Sequence, residues 1–138
     1  MAAAEAVYVF DACAVIAFLH AEPGAQEVAA LLKPGRRRIL HVLNLCEVYY
    51  DMVRRERVED ARSLEGILGG LGIEIDSGLP TSLWQEAGDL KARLRRLSLA
   101  DCFAMALTLR ENGTLVTSDH HEFDPVAAAG LCPIHFIR

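Results

Sequence analysis

Four acidic residues lie where an apolar segment of the sequence ends and a helical pattern begins. They are Asp11, Glu47, Asp101 and Asp119. Buried carboxylates are energetically costly, and four of them near one edge of a sheet would repel one another. Mg²⁺ and Mn²⁺ remove that cost because they prefer oxygen ligands, whereas Zn²⁺ more often takes histidine or cysteine. The set therefore predicts metal-assisted hydrolysis of phosphodiester bonds.

Each of these acids also has a simpler explanation as a helix cap. Asp11 can cap the helix that follows it, and acids in a first turn complement the helix dipole. Three pairs have the spacing of a capping box, namely Asn44 with Glu47, Ser98 with Asp101, and Asp119 with Glu122. Taken singly, each acid is more often a cap than a catalyst, so the functional prediction depends on the whole set.

The segment that positions Asp11 has the pattern of a buried strand that continues directly into a helix. The apolar run Ala6–Phe10 stops at Asp11, and an alanine-rich helical pattern follows up to Leu19. In an open parallel α/β sheet, ligands bind at the carboxyl ends of the strands. We therefore expect the other three acids to reach the same edge.

The rest of the chain alternates between predicted strands and helices. Further strands are predicted at 38–42, 72–76, 114–117 and 133–137, the 72–76 strand near an edge of the sheet. Helices are predicted at 25–32, 58–71, 81–94 and 102–110, and another from a cap at Asn44 to about residue 57. Residues 120–129 are predicted to form a loop and a short helix. This alternation predicts one domain over residues 1–138, with a parallel sheet, right-handed crossovers and helices on both faces.

Composition excludes several classes of protein. Hydrophobic residues make up 52% of the 138 residues and the mean hydropathy is +0.21, which excludes a disordered chain. No apolar run approaches the roughly 18 residues of a membrane span, and the start of the chain lacks a secretory signal pattern. We therefore expect a cytoplasmic protein without a membrane partner. The net charge of −5 argues against non-specific coating of nucleic acid.

Arginine outnumbers lysine twelve to two, and nine of the arginines fall in three groups. The groups are Arg36, Arg37 and Arg38; Arg54, Arg55 and Arg57; and Arg93, Arg95 and Arg96. Guanidinium groups suit phosphate, but a solvated helix face with i, i+4 partners explains them equally well.

The cysteines and histidines are mostly interpreted as structural. Cys13, Cys46, Cys102 and Cys132 show no C-x-x-C spacing, which favours small buried hydrophobic residues over disulfides or a zinc site. Cys46 and Cys102 should face the core if the acids beside them face a cleft. His20, His41 and His135 are taken as structural. His120 and His121 could contact RNA or a soft metal, but exposed loop positions are favoured.

Four segments, in this order, resemble the successive motifs of PIN-domain ribonucleases, particularly the VapC-like toxins. They are Asp11–Leu19 with Glu22–Ala25, Asn44–Val48, Leu97–Ala104, and Leu115–Phe123. The resemblance implies a PIN-like three-layer α/β/α fold with a five-stranded parallel sheet. It also implies a Mg²⁺- or Mn²⁺-dependent endoribonuclease that cleaves single-stranded RNA, forms a homodimer and is neutralised by a cognate antitoxin. Apolar surface on the N-terminal helices and around 48–52 is expected to contact the second protomer and the antitoxin.

The same resemblance implies roles for individual residues. Asp11, Glu47, Asp101 and Asp119 would bind the metal. The supporting residues would be Thr117 or Ser118 as a hydroxyl, Asn44 as an amide and Asp124 as an outer acid. Cys13 departs from the pattern, because many relatives carry serine or threonine there, and a thiol is a weaker hydrogen-bonding group.

Other function classes match the sequence less well. A phospho-acceptor signalling domain would need an acid pair after the first strand and a late lysine, whereas Asp11 has no adjacent acid. A haloacid-dehalogenase-type phosphatase would need D-x-D, whereas the chain has Asp11-Ala12-Cys13. A PIN-like protein with an RNA-processing role outside toxin biology, or a catalytically idle protein-binding module, stays open at this point.

Overall fold

A five-stranded parallel sheet forms the centre of the computed structural model, which describes residues 5–138. The strands are β1 (Ala6–Phe10), β2 (Arg36–His41), β3 (Ile73–Asp76), β4 (Thr114–Thr117) and β5 (Ile134–Phe136). Their order in the sheet is β3-β2-β1-β4-β5, and every neighbouring pair is parallel. β1 is therefore central, and β3 is an edge strand, as predicted for residues 72–76.

Helices connect the strands, as the alternating pattern predicts. Within the described residues they are α1 (Ala12–Leu19), α2 (Ala25–Leu31), α3 (Val42–Arg54), α4 (Val58–Arg62), α5 (Leu64–Gly70), α6 (Thr81–Arg93), α7 (Leu99–Arg110) and α8 (His120–Ala128). The predicted α/β fold with a five-stranded parallel sheet is confirmed.

Two apolar clusters cover the two faces of the sheet. Successive residues of a strand point to opposite faces, and Phe10 packs in one cluster while Val9 packs in the other. The first cluster is completed by residues of α1, α2, α3, α4 and α5, and the second by residues of α6, α7 and α8. The central strands are buried on both faces, which is typical of a parallel sheet between helical layers.

The start of α3 differs from the prediction. His41, not Asn44, caps this helix: the backbone N–H of Leu43 donates to His41 Nδ1 at 3.2 Å, and His41 Nε2–H donates to the carbonyl of Gly78 at 3.0 Å. Asn44 lies inside the first turn and is fully buried. The predicted capping box of Asn44 with Glu47 is therefore wrong, because a contact across the fold fixes where the helix begins.

Three other helices also differ from their predicted bounds. The predicted helix over 58–71 is two helices that meet at Ser63. α7 begins at Leu99, because the Ser98 side chain accepts the backbone N–H of Asp101. Residues His120–Ala128 form a helix capped by Asp119, where loop and short helix were predicted.

The four cysteines are free thiols. Cys102 and Cys132 are buried, as predicted, but Cys46 is exposed, and the prediction that it faces the core is wrong. The buried face of α3 is made by other residues, such as Leu45, Val48 and Met52. Within residues 5–138, no helix combines the length and apolar character needed to cross a bilayer.

Candidate active site

Asp11 lies at the carboxyl end of β1 and caps α1. Its side chain is only 1% exposed, and its Oδ1 accepts the backbone N–H of Ala14 at 3.0 Å. Its own backbone N–H donates to the carbonyl of Val116 at 3.1 Å, which ties it to the end of β4. The simple explanation of Asp11 as a helix cap is therefore correct, but it does not account for the other oxygen.

Thr117 links Asp11 to Asp119. The fully buried Thr117 hydroxyl donates to Asp11 Oδ2 and accepts the backbone N–H of Asp119 at 3.0 Å. Asp119 Oδ1 in turn accepts the backbone N–H of Glu122 at 3.0 Å, which caps α8. Because β1 and β4 are neighbours, the two acids that follow them are held side by side through one hydroxyl.

The thiol of Cys13 completes the surroundings of Asp11. Cys13 Sγ lies 3.0 Å from Asp11 Oδ1 and 3.1 Å from Oδ2, and the backbone N–H of Ser118 donates to the sulfur at 3.5 Å. Burial and the adjacent Asp11 charge raise the pKa of the Cys13 thiol to about 12. The thiol therefore stays protonated and acts as a hydrogen-bond donor in place of a hydroxyl.

Glu47 and Asp101 enter the site from helices on opposite faces of the sheet. Glu47 lies in α3 and Asp101 in the first turn of α7. Asn44 Nδ2 donates to the carbonyl of Ala100 at 3.2 Å and joins the two helices next to these acids. Asn44 Oδ1 is buried and has no hydrogen-bond partner in the described part of the chain.

The electrostatics show that the four acids are neighbours. Burial, together with the charges of Asp11, Glu47 and Asp119, raises the pKa of Asp101 to about 7, against the opposing effect of the hydrogen bond from Ser98. Burial also raises the pKa of Asp11 to about 6, against the opposing effect of hydrogen bonds from Thr117, Cys13 and Ala14. The pKa of Glu47 is raised by burial and by the Asp11 charge. We call these four residues the acid cluster.

The donor set of the acid cluster consists of oxygen atoms, which matches a hard divalent cation and not Zn²⁺. Among residues 5–138, no three carboxylate, imidazole or thiol side chains are gathered closely enough to hold one ion as they stand. The carboxylates are thus close enough to affect one another's pKa, but their oxygen atoms do not surround a common point.

Asp124 and His120 lie outside the hydrogen-bond network of Asp11. Asp124 is exposed and lies 2.8 Å from His120 Nδ1, while His120 Nε2 donates to the carbonyl of Arg138 at 2.6 Å. The His120 ring also stacks on Phe136, with 4.0 Å between ring centroids. The hydrogen bond with the Arg138 carbonyl is the main cause that raises the pKa of His120, and the hydrogen bond with Asp124 raises it as well. His120 is exposed, as expected, but it belongs to α8 and joins that helix to the end of the chain.

The sequence did not predict that His41 caps α3, nor how many contacts Cys13 makes in the site. His41 sets the first turn of α3, from which Asn44 and Glu47 project, but histidine is not among the preferred N-cap residues and carried no local signal. The sequence shows that Cys13 lies two residues from Asp11, but not that its thiol contacts both carboxylate oxygens and the backbone N–H of Ser118.

Comparisons with known proteins show the family and the fold of the chain. The family model of the PIN domain matches residues 8–129, whereas a comparison with curated protein sequences gave no match. Similar solved structures include VapBC-1 from nontypeable Haemophilus influenzae (16% identity, TM-score 0.69, covering 95% of this chain and 98% of that one). A toxin–antitoxin complex from Klebsiella pneumoniae is 14% identical, with a TM-score of 0.70 and coverage of 95% and 98%.

VapBC2 from Rickettsia felis, solved bound to a DNA fragment from its promoter, is 19% identical, with a TM-score of 0.69 and coverage of 94% and 98%. At these identities the structural likeness establishes the fold. The family model spans most of the chain, including all four residues of the acid cluster. The chain therefore belongs to the PIN-domain family.

Proposed function

We propose that this protein is a metal-dependent endoribonuclease that hydrolyses phosphodiester bonds of single-stranded RNA and acts as the toxin of a toxin–antitoxin pair. The observation that supports this most is that burial and neighbouring acidic charges raise the pKa of Asp11, Glu47 and Asp101, and that Asp119 contributes to the charge acting on Asp11 and Asp101. Membership of the PIN-domain family supports the same reaction class. Single strands suit such a cleft because their backbone and bases can be splayed apart.

In this proposal Asp11, Asp101 and Asp119 hold one or two Mg²⁺ or Mn²⁺ ions, and Glu47 completes the ligand set or orients the attacking water. A bound ion of this kind supplies charge neutralisation and lowers the pKa of water. Side-chain rotation is needed to bring the carboxylates to a common point, since they do not converge in the structure. Thr117 and Cys13 hold Asp11 in place during this rearrangement.

The antitoxin is proposed to bind an apolar groove on α3, the helix that also carries Glu47. The groove has a volume of about 460 Å³ and is lined mainly by α3, α4 and α5, through Val42, Leu45, Cys46, Tyr49, Ala61, Arg62, Leu64 and Glu65. In the region around 48–52, where apolar surface was expected, Tyr49 is 42% and Tyr50 57% exposed, whereas Val48 and Met52 are buried in the core. The similar structures are described as toxin–antitoxin complexes, which supports this partner. A basic antitoxin side chain would complement the acid cluster.

A homodimer is proposed as well. Large apolar side chains are exposed elsewhere on the described surface, among them Leu79 at 52%, Trp84 at 48% and Leu99 at 51%. A contiguous apolar patch on a protein's surface often marks a contact with another chain, and these side chains are proposed to form such a patch. Light scattering of the free protein at high micromolar concentration should give the mass of two chains, and a monomer there would count against the dimer.

The test of the nuclease is cleavage of a mixed RNA pool with and without Mn²⁺. The native chain should cut single-stranded RNA only when Mn²⁺ is present, and Asp101→Asn should lose at least about a hundredfold in rate. Asp89→Asn is the matched control, because Asp89 is an exposed acid of α6 outside the acid cluster. Cleavage that survives Asp101→Asn, or an uncut RNA pool with the native chain, would overturn the proposal, and the latter result would favour a catalytically idle binding module.

A further inference from the structure

Two of the three arginine groups are paired with acids or backbone carbonyls of the protein itself. Arg37 donates to Glu74 at 2.9 Å and to Glu111 at 3.1 Å, and Arg38 donates to the carbonyls of Lys33 and Gly72. All three arginines of the second group form ion pairs, with Asp51, Glu22 and Asp60 as partners. Most of the guanidinium groups in these two groups are therefore not free to bind a ligand anion.

The third group, Arg93, Arg95 and Arg96, is different. All three side chains are exposed, and none forms an ion pair with an acid among residues 5–138. The backbone that carries them is held by Lys91, whose Nζ donates to the carbonyl of Arg95 at 2.9 Å and to that of Leu97 at 2.6 Å. An ordered segment thus presents three positive charges without ion-pair partners in a protein of net charge −5.

This segment lies between two members of the acid cluster. It runs directly into Ser98, the cap of the helix that carries Asp101. On the other side, Arg96 Nη2 approaches the ring nitrogens of His121 at 2.9 and 3.2 Å, and His121 is two residues beyond Asp119. A strand whose phosphate reaches Asp101 and Asp119 would have its neighbouring phosphate near these arginines.

A cavity of about 270 Å³ adjoins the same arginines. It is lined by Arg93, Leu94, Arg95, Arg96, Leu97, Glu122, Pro125 and Val126. Its walls thus combine guanidinium groups, which bind phosphate, with apolar side chains, which a base or ribose can contact. An acidic peptide would use the arginines but would have less use for the apolar wall.

One polar atom of this cavity lacks a partner. Glu122 Oε2 is buried and accepts no hydrogen bond within the described part of the chain. Leaving a buried acceptor unsatisfied is costly, so such atoms generally have a donor when the site is filled. The amino group of a nucleobase is a donor of this kind, since carboxylates accept hydrogen bonds from the amino group of cytosine.

We propose that the cavity between 93–97 and α8 is a nucleotide subsite of single-stranded RNA, next to the phosphate that is cleaved. Arg93, Arg95 and Arg96 bind the backbone phosphates, and Glu122 accepts a hydrogen bond from the base. The subsite rests on the proposed function, because it assumes that RNA is the substrate.

The test measures RNA binding apart from cleavage. The Asp101→Asn protein, in chelator, is titrated against a short fluorescein-labelled single-stranded RNA of mixed sequence, and fluorescence anisotropy is followed at several salt concentrations. Adding R93Q, R95Q and R96Q together should weaken binding about tenfold or more, and the slope of log affinity against log salt should fall by about 0.7 for each phosphate that the variant no longer neutralises.

The matched control replaces three other arginines, R36Q, R62Q and R110Q, which also form no ion pair among residues 5–138. This variant changes the net charge equally but leaves the cavity intact, so its affinity should stay within about twofold of the parent. Equal losses of affinity in the two triple variants would show bulk attraction and overturn the subsite, as would an unchanged affinity in R93Q/R95Q/R96Q. A polyglutamate peptide that displaces the RNA as effectively as unlabelled RNA does would also overturn it.

The hydrogen bond between Glu122 and the base is tested separately, by comparing the affinities for RNAs of different base composition. The parent should rank oligo-A, oligo-C, oligo-G and oligo-U unequally, and E122Q should change that ranking because its amide adds a donor. Equal affinities before and after the substitution would contradict the role of Glu122. Failure of the proposed function is recognised separately, because the native chain would then leave RNA uncut in Mn²⁺.

Discussion

Asp101 is the acid whose pKa is raised by burial and by the charges of all three other members of the acid cluster. Its pKa in the folded protein is about 7, above the ordinary value of 3.8, so the folded state binds more protons than the unfolded state between these values. Stability therefore falls as the pH rises through this window, and the full cost is present above pH 7. Strongly raised pKa values of mutually repelling acids are concentrated at functional sites.

Replacing Asp101 with Asn should stabilise the metal-free protein. At pH 8 the free energy of unfolding in chelator should rise by roughly 1–3 kcal/mol, because a charge disfavoured by burial and by three neighbouring acids is removed. At pH 5 the gain should be smaller, since native Asp101 is already protonated there. Urea unfolding at both pH values measures this, with Asp89→Asn as a control expected to change little. A loss of stability at pH 8 would mean that Asp101 is chiefly a structural residue.

The hydrogen bond from Cys13 should influence how the cleavage rate falls at low pH. Serine donates a stronger hydrogen bond than cysteine, so Cys13→Ser should favour the ionised form of Asp11 and lower its pKa below the present value of about 6. Cleavage in Mn²⁺ at pH 5.5 should then be roughly twofold faster, with less change at pH 8. Cys46→Ser, which alters an exposed thiol, should leave the profile unchanged. An unmoved profile in Cys13→Ser would show that the thiol does not influence Asp11.

At the scale of elements, the sequence predicts most strands and helices but not the features that depend on distant contacts. The strand Thr114–Thr117 is predicted with the bounds observed, because its apolar residues lie between clear turn signals. The predicted start of α3 is wrong because the observed start depends on the hydrogen bond from His41 to the carbonyl of Gly78, 37 residues later in the chain. No local signal could show this contact, and the face assigned to Cys46 was wrong for a related reason, since packing decides which side of α3 is buried.

His41→Ala should therefore weaken the fold and the site together. The fully buried ring caps α3 and stacks on Phe103 with 5.2 Å between ring centroids. Loss of the cap and the resulting cavity should lower the free energy of unfolding by about 2–4 kcal/mol. His135→Ala, at a partly exposed ring paired with Glu27, should change it by no more than about 0.5 kcal/mol. Denaturant unfolding of both variants is the measurement, and equal stabilities would contradict the assigned cap.

At the scale of the whole molecule, the meeting of distant acids follows from topology. Asp11 and Asp119 follow adjacent parallel strands, so once the sheet is predicted their proximity is predicted too. The pairing of the arginines could not be predicted in the same way. Arg37 pairs with Glu74 on the neighbouring strand, whereas Arg93, Arg95 and Arg96 form no ion pair among residues 5–138, and both facts depend on the folded surface.

The central claim is that the acid cluster binds a divalent cation, and a Mn²⁺ titration of the metal-free protein tests it most directly. Calorimetry at pH 8 should show saturable binding by the native chain, accompanied by proton release, and weaker binding at pH 6, where protons compete for Asp11 and Asp101. Asp101→Asn should bind at least about tenfold more weakly, while Asp89→Asn should bind like the native chain. Mn²⁺ binding that is equally strong in native and Asp101→Asn proteins, or absent from the native chain, would contradict the account.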